Sequence, residues 1–176
     1  MYEAAGADPA RIYIGVDANG RALEKVSERI HRKPKVPNAA FVQAAVESLP
    51  AELDGVAAEV TVQFPWGSLL RGVAVGEPAV MANLRRICAP GAVLDVTIGL
   101  DPARDRVEME RLGVEPLMPE FVEGVLARRY RAAGFVLSGY GVLGPGEWQR
   151  IQTSWARRLR AGGAGRTVTR LRATAS

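Results

Sequence analysis

The chain has 176 residues, 48% hydrophobic and 24% charged, with a formal net charge of +4; that is enough for one ordinary domain and too apolar to be mainly disordered. Its one cysteine, Cys88, and one histidine, His31, exclude an internal disulfide and argue against a zinc site or a Ser-His-Asp triad. No run approaches the roughly 20 apolar residues of a membrane span, and the amino terminus lacks the basic-then-apolar order of a secretory signal, so a cytoplasmic chain with no metal and no membrane contact is expected.

Period and punctuation alternate between strand and helix along the chain. Arg11 to Val16 reads as a short β-branched strand ending at Asp17, and Asn19-Gly20 turns it into an amphipathic helix from Arg21 to Arg32. A basic, proline-stiffened linker, Lys33 to Asn38, leads to a strand over Ala39 to Gln43, and a third strand, Glu59 to Gln63, runs into Phe64-Pro65-Trp66-Gly67. A helix follows from Pro78 to Ile87, then a turn at Ala89-Pro90-Gly91 and a strand from Ala92 to Ile98. The proline-rich stretch from Asp101 to Pro119 reads as an excursion with one or two helical turns. Beyond it come a helix from Pro119 to Ala133, a strand from Phe135 to Val142, a helix from Gly146 to Arg160, a Gly-rich turn and a last strand from Thr167 to Arg172. Alternation of this kind predicts an α/β fold, a doubly wound, mostly parallel sheet with helices on both faces.

Ligands of such sheets bind beyond the carboxyl ends of the strands, which directs attention to Asp17, Ala45 to Glu47, Phe64 to Trp66 and Gly99 to Asp101. A carboxylate is an acceptor-only group able to take both hydroxyls of a ribose, which suits Asp17; the same residue could instead cap the helix that follows. Glu47 could face the exocyclic amine of an adenine or cap Ser48 to Leu53. The cofactor-binding candidates are therefore Asp17, Val46, Glu47, Phe64 and Pro65. Cys88 reads as a small buried apolar residue and His31 as a surface one.

Charge is distributed unevenly. Residues 1–127 carry a net −5, whereas residues 128–176 hold ten arginines against the lone acid Glu147, a net +9. Arginine pairs bidentately with phosphate and stacks on bases, so this half reads as a surface for folded nucleic acid; a GC-rich genome would explain the choice of arginine over lysine but not the loss of acids.

The segments Tyr13-Ile-Gly-Val-Asp17, Phe41 to Pro50, Phe64-Pro-Trp-Gly-Ser-Leu-Leu70, Ile87-Cys-Ala-Pro-Gly91 and Thr153-Ser-Trp-Ala-Arg-Arg-Leu159 together resemble the aminoglycoside-resistance 16S ribosomal RNA (adenine(1408)-N1)-methyltransferases. These are Rossmann-like class I enzymes that use S-adenosyl-L-methionine. The resemblance spans almost the whole chain as one domain, with residues 1–100 on the cofactor side, an excursion over 101–118 and a basic RNA-facing half over 119–176. It implies that Trp66 and Trp155 clamp the target adenine after it leaves its helix, with Ser68 and Thr153 positioning base and cofactor; these four are the catalytic candidates. On the residues alone, Trp155 fits the buried stripe of its helix, Ser68 and Thr153 fit helix caps, and Trp148 is structural. Arg157, Arg158, Arg166 and Arg170, with Lys33 and Lys35 of the basic linker, are the RNA-binding candidates, docking as a monomer onto 16S rRNA in the assembled 30S subunit; Arg172 could widen the patch.

Members of that family open with a strand and a turn of the form Gly-Thr-Gly-Asp-Gly. Here Tyr2 to Arg11 reads as the helix after that turn, so the first strand and Gly-rich loop are expected to be missing and half of the cofactor pocket with them. Two further readings stay open beside the RNA methyltransferase: an inactive RNA-binding relic and a small-molecule methyltransferase.

Overall fold

The structure, a computed structural model, describes residues 2–30, 36–148, 151 and 166–176. The chain divides into two compact units, Met1–Pro50 and Ala51–Ser176.

In the first unit a short helix α1 (Tyr2–Ala7) precedes strand β1 (Tyr13–Asp17), helix α2 (Gly20–Ile30) and strand β2 (Ala39–Gln43), and a single 3-10 turn, Val46–Ser48, follows. β1 and β2 pair in parallel, with Tyr13 opposite Ala39 and Asp17 opposite Gln43. Ala5 and Val36 form a small buried core against Tyr13, Ala39 and Phe41. Asn38 holds this unit together through its side-chain amide, which donates to the carbonyls of Ala5, Asp8 and Arg11 at 2.9, 3.0 and 2.8 Å. It thereby satisfies carbonyls at the end of α1 and in the loop that leads from it to β1.

The second unit runs from a 3-10 turn, Ala51–Leu53, through β3 (Ala57–Gln63), α3 (Gly67–Arg71) with a π turn over Gly72–Gly76, α4 (Pro78–Ile87) and β4 (Cys88–Leu100). It continues with α5 (Arg106–Leu112), α6 (Pro119–Phe121), a π turn over Val122–Leu126, α7 (Ala127–Ala132), β5 (Phe135–Val142), α8 (Pro145–Trp148) and β6 (Thr167–Ala175). α4 starts where its sequence dictates: the Glu77 carboxylate accepts the Val80 N–H at 2.9 Å and Pro78 occupies the first turn, which needs no donor there.

The four strands lie in the order β3-β4-β6-β5. β3 and β4 are parallel, but β6 runs antiparallel to both neighbours. The mostly parallel sheet expected from strand–helix alternation is thus a mixed one. The reason is the connection after β5, which returns the chain to the same end of the sheet and inserts β6 in the reverse direction. The turn expected at Ala89-Pro90-Gly91 is also different: β4 passes through these residues with a shift of register, Gly91 at φ 75° supplying the left-handed step of a bulge.

One face of this sheet is apolar. Leu94, Val96 and Ile98 of β4 and Leu171 and Ala173 of β6 are buried, together with Leu70, Val73, Met81, Leu84, Leu126 and Tyr130 from the helices. Tyr130 fixes the helical layer by donating its hydroxyl to the Val73 carbonyl at 2.8 Å, and burial pushes its phenol well above the ordinary value. The opposite face carries exposed Glu59, Thr61, Gln63, Arg170 and Arg172. Among the described residues no helix is long and apolar enough to cross a membrane.

Candidate functional site

The candidate residues gather at the carboxyl ends of the parallel strands, unit by unit. In Met1–Pro50, Asp17 ends β1 and the turn Val46–Ser48 follows β2 at the same end. One Asp17 oxygen accepts the Asn19 N–H at 2.8 Å, the local turn bond of an aspartate ahead of a helix. The side chain is exposed, and a carboxylate has lone pairs left for a ribose hydroxyl. Glu47 is exposed and Val46 half-buried on the neighbouring turn. Asp17 and Glu47 thus lie at the same end of the β1–β2 pair, the end at which parallel strands take a ligand.

In Ala51–Ser176 the tip of β3 has an unusual backbone. Phe64 lies at φ 50° and is the non-glycine residue with positive φ among the described residues. Such a conformation costs roughly 1 to 3 kcal/mol in a bulky residue. Its side chain is 6% exposed and packs with Val168, Leu143, Trp148 and Ile151, meeting the Trp148 ring edge-on at 6.4 Å and 71°. Burying a phenylalanine returns about 1.5 to 3 kcal/mol and an edge-to-face pair about 0.5 to 1.5 more, so packing outweighs strain. The Phe64 N–H still reaches the Thr97 carbonyl at 2.7 Å, which ties the reversal to β4.

The reversal sends Trp66 outward. Pro65 is buried and Trp66 is 42% exposed in an extended conformation at the start of α3. Gly67 at φ 59° completes the bend, and Ser68 is exposed in the first turn of α3. A large aromatic on the outside of a strand tip, immediately beside a buried aromatic anchor, is a stacking platform in shape.

The tip of β4 is held by a polar network. Asp101 accepts the N–H groups of Ala103 and Arg104 at 3.1 and 3.2 Å, while Asp105 accepts the Asp101 N–H at 2.9 Å. Arg166 pairs with Asp105 and donates to the Gly99 carbonyl at 3.1 Å; the two charged side chains are 15% and 9% exposed. Arg166 was expected to clamp RNA, but its guanidinium is turned inward and joins β4, the start of α5 and the start of β6. Arg170 donates through Nε to both Asp95 oxygens, at 2.9 and 3.1 Å, and Arg172 approaches the same carboxylate at 3.4 Å. Hydrogen bonding to Asp95 raises the Arg170 pKa further above its ordinary value. Unlike Arg166, Arg170 remains 46% exposed along its side chain and Arg172 51%. Trp155, Thr153, Arg157, Arg158, Lys33 and Lys35 lie outside the described residues.

Residues 1–174 match the family described as NpmA, 16S rRNA (adenine(1408)-N(1))-methyltransferase. The chain belongs to that family. A 16S rRNA (adenine(1408)-N(1))-methyltransferase of Streptoalloteichus tenebrarius is 37% identical over 161 residues, covering 90% of this chain and 74% of its relative. Among solved structures, the aminoglycoside resistance methyltransferase NpmB1 is 41% identical with a TM-score of 0.82, covering 99% of this chain and 81% of that one. A mutant of the 16S rRNA (adenine(1408)-N(1))-methyltransferase from Catenulisporales acidiphilia, determined with cosubstrate SAM, is 38% identical with a TM-score of 0.88, covering 99% and 79%. The α/β methyltransferase fold of this family member accounts for the mixed sheet.

Two features of the site escape a reading of the residues. A left-handed phenylalanine has no local signature. Trp148 is one more apolar residue in an amphipathic pattern. Asp95, by contrast, is marked: an acid inside Val93-Leu-Asp-Val-Thr-Ile98 needs a partner, and Arg170 and Arg172 alternate on β6 to supply it.

Proposed function

We propose that this chain transfers a methyl group from S-adenosyl-L-methionine to N1 of an adenine in 16S rRNA, acting as a cytoplasmic monomer on the assembled 30S subunit. The observation that carries the reading is the Trp66 indole, pushed outward at the β3 tip by a strained, buried Phe64 in a chain of the adenine-1408 methyltransferase family. N1 lies on the Watson–Crick edge, so the base has to leave its helix before it can react. Stacking on an indole returns about 1 to 3 kcal/mol, comparable with the few kcal/mol that unstacking requires.

In this mechanism Trp66 holds one face of the adenine and sets the plane of its ring, and Trp155 takes the other face. Ser68 and Thr153 orient the base and the methionine end of the cofactor by hydrogen bonds. Asp17 accepts the ribose hydroxyls, and Val46 and Glu47 bound the adenine of the cofactor; Phe64 and Pro65, buried at the tip of β3, carry Trp66. The bound cofactor supplies a methyl group on a positively charged sulfur. Adenine N1 offers an in-plane lone pair, so the residues need only align the attacking nitrogen, and no histidine is required as a base. Arg157, Arg158, Arg170, Lys33 and Lys35 clamp phosphates and read the shape of the folded RNA. Arg166 stands apart from these, because its Nη1 and Nη2 groups face Asp105 and the Gly99 carbonyl.

The test is incubation of purified protein with 30S subunits and S-adenosyl-L-methionine, followed by reverse transcription across the decoding site. A stop at one adenine, accompanied by a methyl mass increment on that base, is the expected result. RNA binding without a methyl increment would mean a relic, and methylation of small acceptors with no effect of Arg157→Ala/Arg158→Ala would mean a small-molecule enzyme.

A further inference from the structure

Trp148 lies on the connection between β5 and β6 and belongs to neither the strand tips nor the basic surface. Its placement is nevertheless tightly specified. Gly144 donates its N–H to Glu147 Oε2 at 2.7 Å, while the N–H groups of Glu147 and Trp148 reach the Gly144 carbonyl at 3.0 and 3.3 Å. With Pro145 at the first position, this is a reciprocal cap that fixes the short helix α8 and the direction from which Trp148 leaves it. The neighbouring chain is pinned as well: Leu143 donates to the Val168 carbonyl at 2.8 Å and Ile151 to the Trp148 carbonyl at 3.0 Å. The indole of Trp148 then meets Phe64 edge-on, inside the cluster that also holds Val168, Leu143 and Ile151.

We propose that Trp148 is a positioning residue for Trp66: by bracing Phe64 in its left-handed conformation, it sets the direction in which Pro65 and Trp66 leave β3. Phe64 adopts φ 50°, which a phenylalanine leaves unless its surroundings over-determine it. Its buried side chain is the part of the residue that those surroundings grip, and the aromatic contact among them is the Trp148 ring. Two residues later the exposed Trp66 inherits whatever direction Phe64 takes. Substitution of Trp148 therefore tilts the platform without touching base or cofactor. The catalytic consequence rests on the methyltransferase reading; the geometric one does not.

Two measurements separate these. Trp148→Phe/Trp155→Phe leaves Trp66 as the reporting tryptophan, and Trp148→Ala/Trp155→Phe differs from it in the brace alone. The second protein is expected to show lower fluorescence anisotropy and stronger acrylamide quenching of Trp66. Equal anisotropy and quenching in both overturn the proposal, whether or not the protein methylates RNA. In the activity measurement, with Trp155 intact, Trp148→Ala should lower kcat on 30S subunits about tenfold, since small misplacements of aligned groups act on the chemical step. KM for S-adenosyl-L-methionine should stay unchanged, and Trp148→Phe should restore kcat. Parallel loss of kcat and cofactor binding, or failure of Trp148→Phe to rescue, would mark Trp148 as a general stability residue and refute the proposal. Should Trp148→Ala lose its native circular dichroism, Trp148→Leu carries the same comparison. A wild-type protein with no methyl transfer would remove the functional reading and leave the fluorescence result to decide the geometric one.

Discussion

Arg166 offers a decisive test, because a phosphate clamp and an internal brace respond to its loss in opposite ways. Arg166→Met keeps the aliphatic stem and removes the guanidinium, leaving Asp105, 9% exposed along its side chain, without its cation. Breaking one side of a buried ion pair costs about 3 to 5 kcal/mol. Asp105 keeps the Asp101 N–H at 2.9 Å, which places the expected loss near the lower end, about 3 kcal/mol. For a chain of this size each kcal/mol shifts Tm by roughly 2 to 4 °C, so calorimetry should record a fall of about 6 to 12 °C. The double variant Arg166→Met/Asp105→Asn removes both charges and should recover much of the loss, since a neutral pair leaves no buried charge unmatched. Affinity of the folded variant for 30S subunits should keep the salt dependence of the wild type. A Tm within about 2 °C of wild type, together with a salt slope lowered by roughly one, would refute the reasoning and return Arg166 to the RNA-facing set.

Trp66→Ala should abolish methylation while cofactor affinity, read by calorimetry, changes little; equal loss of both would make Trp66 structural. Stability should decline on the alkaline side. Burial raises the Tyr130 phenol and the Cys88 thiol above their ordinary values of 10.0 and 9.0, so both keep their protons in the native state while the unfolded chain releases them. Their contributions are complete below those values and fall as pH rises past 9.0 for Cys88 and past 10.0 for Tyr130; denaturant melts at constant ionic strength across pH 8 to 11 should show the decline, and a flat profile would contradict it. Cys88, buried and donating to the Leu84 carbonyl at 3.1 Å, should react with an aromatic disulfide reagent at pH 8 far more slowly in the native than in the denatured protein; equal rates would show an exposed thiol.

Much of the framework was readable because its signals are local. The strand over Ala39–Gln43, the helix over Pro78–Ile87 and the strand over Phe135–Val142 coincide with the periodicity and punctuation of their residues, and α5 falls where one or two helical turns are expected between Asp101 and Pro119. The antiparallel course of β6 was not readable from alternation, which cannot tell a crossover from a return on the same side. Thr167-Val-Thr-Arg-Leu-Arg-Ala173 did hold a clue, since polar and apolar residues alternate as they do in a strand with one wet face. Arg166 and Arg170 show the limit of charge counting. Both belong to the same basic tail, yet one is drawn inward by Asp105 and the other lies half-exposed against Asp95; partners distant in sequence decide which. Trp66 was legible as a tip residue, whereas the backbone that aims it depends on a contact between Phe64 and Trp148 that only the folded chain brings about.

The position of β6 bears on how the second unit comes together. Thr167–Ala175 occupies the middle of the sheet and separates β4 from β5; before it arrives, two inward-looking edges stand open. Closing them requires residues far apart in sequence to meet, a slow kind of assembly that leaves a window for mispairing with other chains. Deleting these nine residues would thus remove a keystone, not fray an end, and β5 with its helix would lose their attachment to the rest of the sheet.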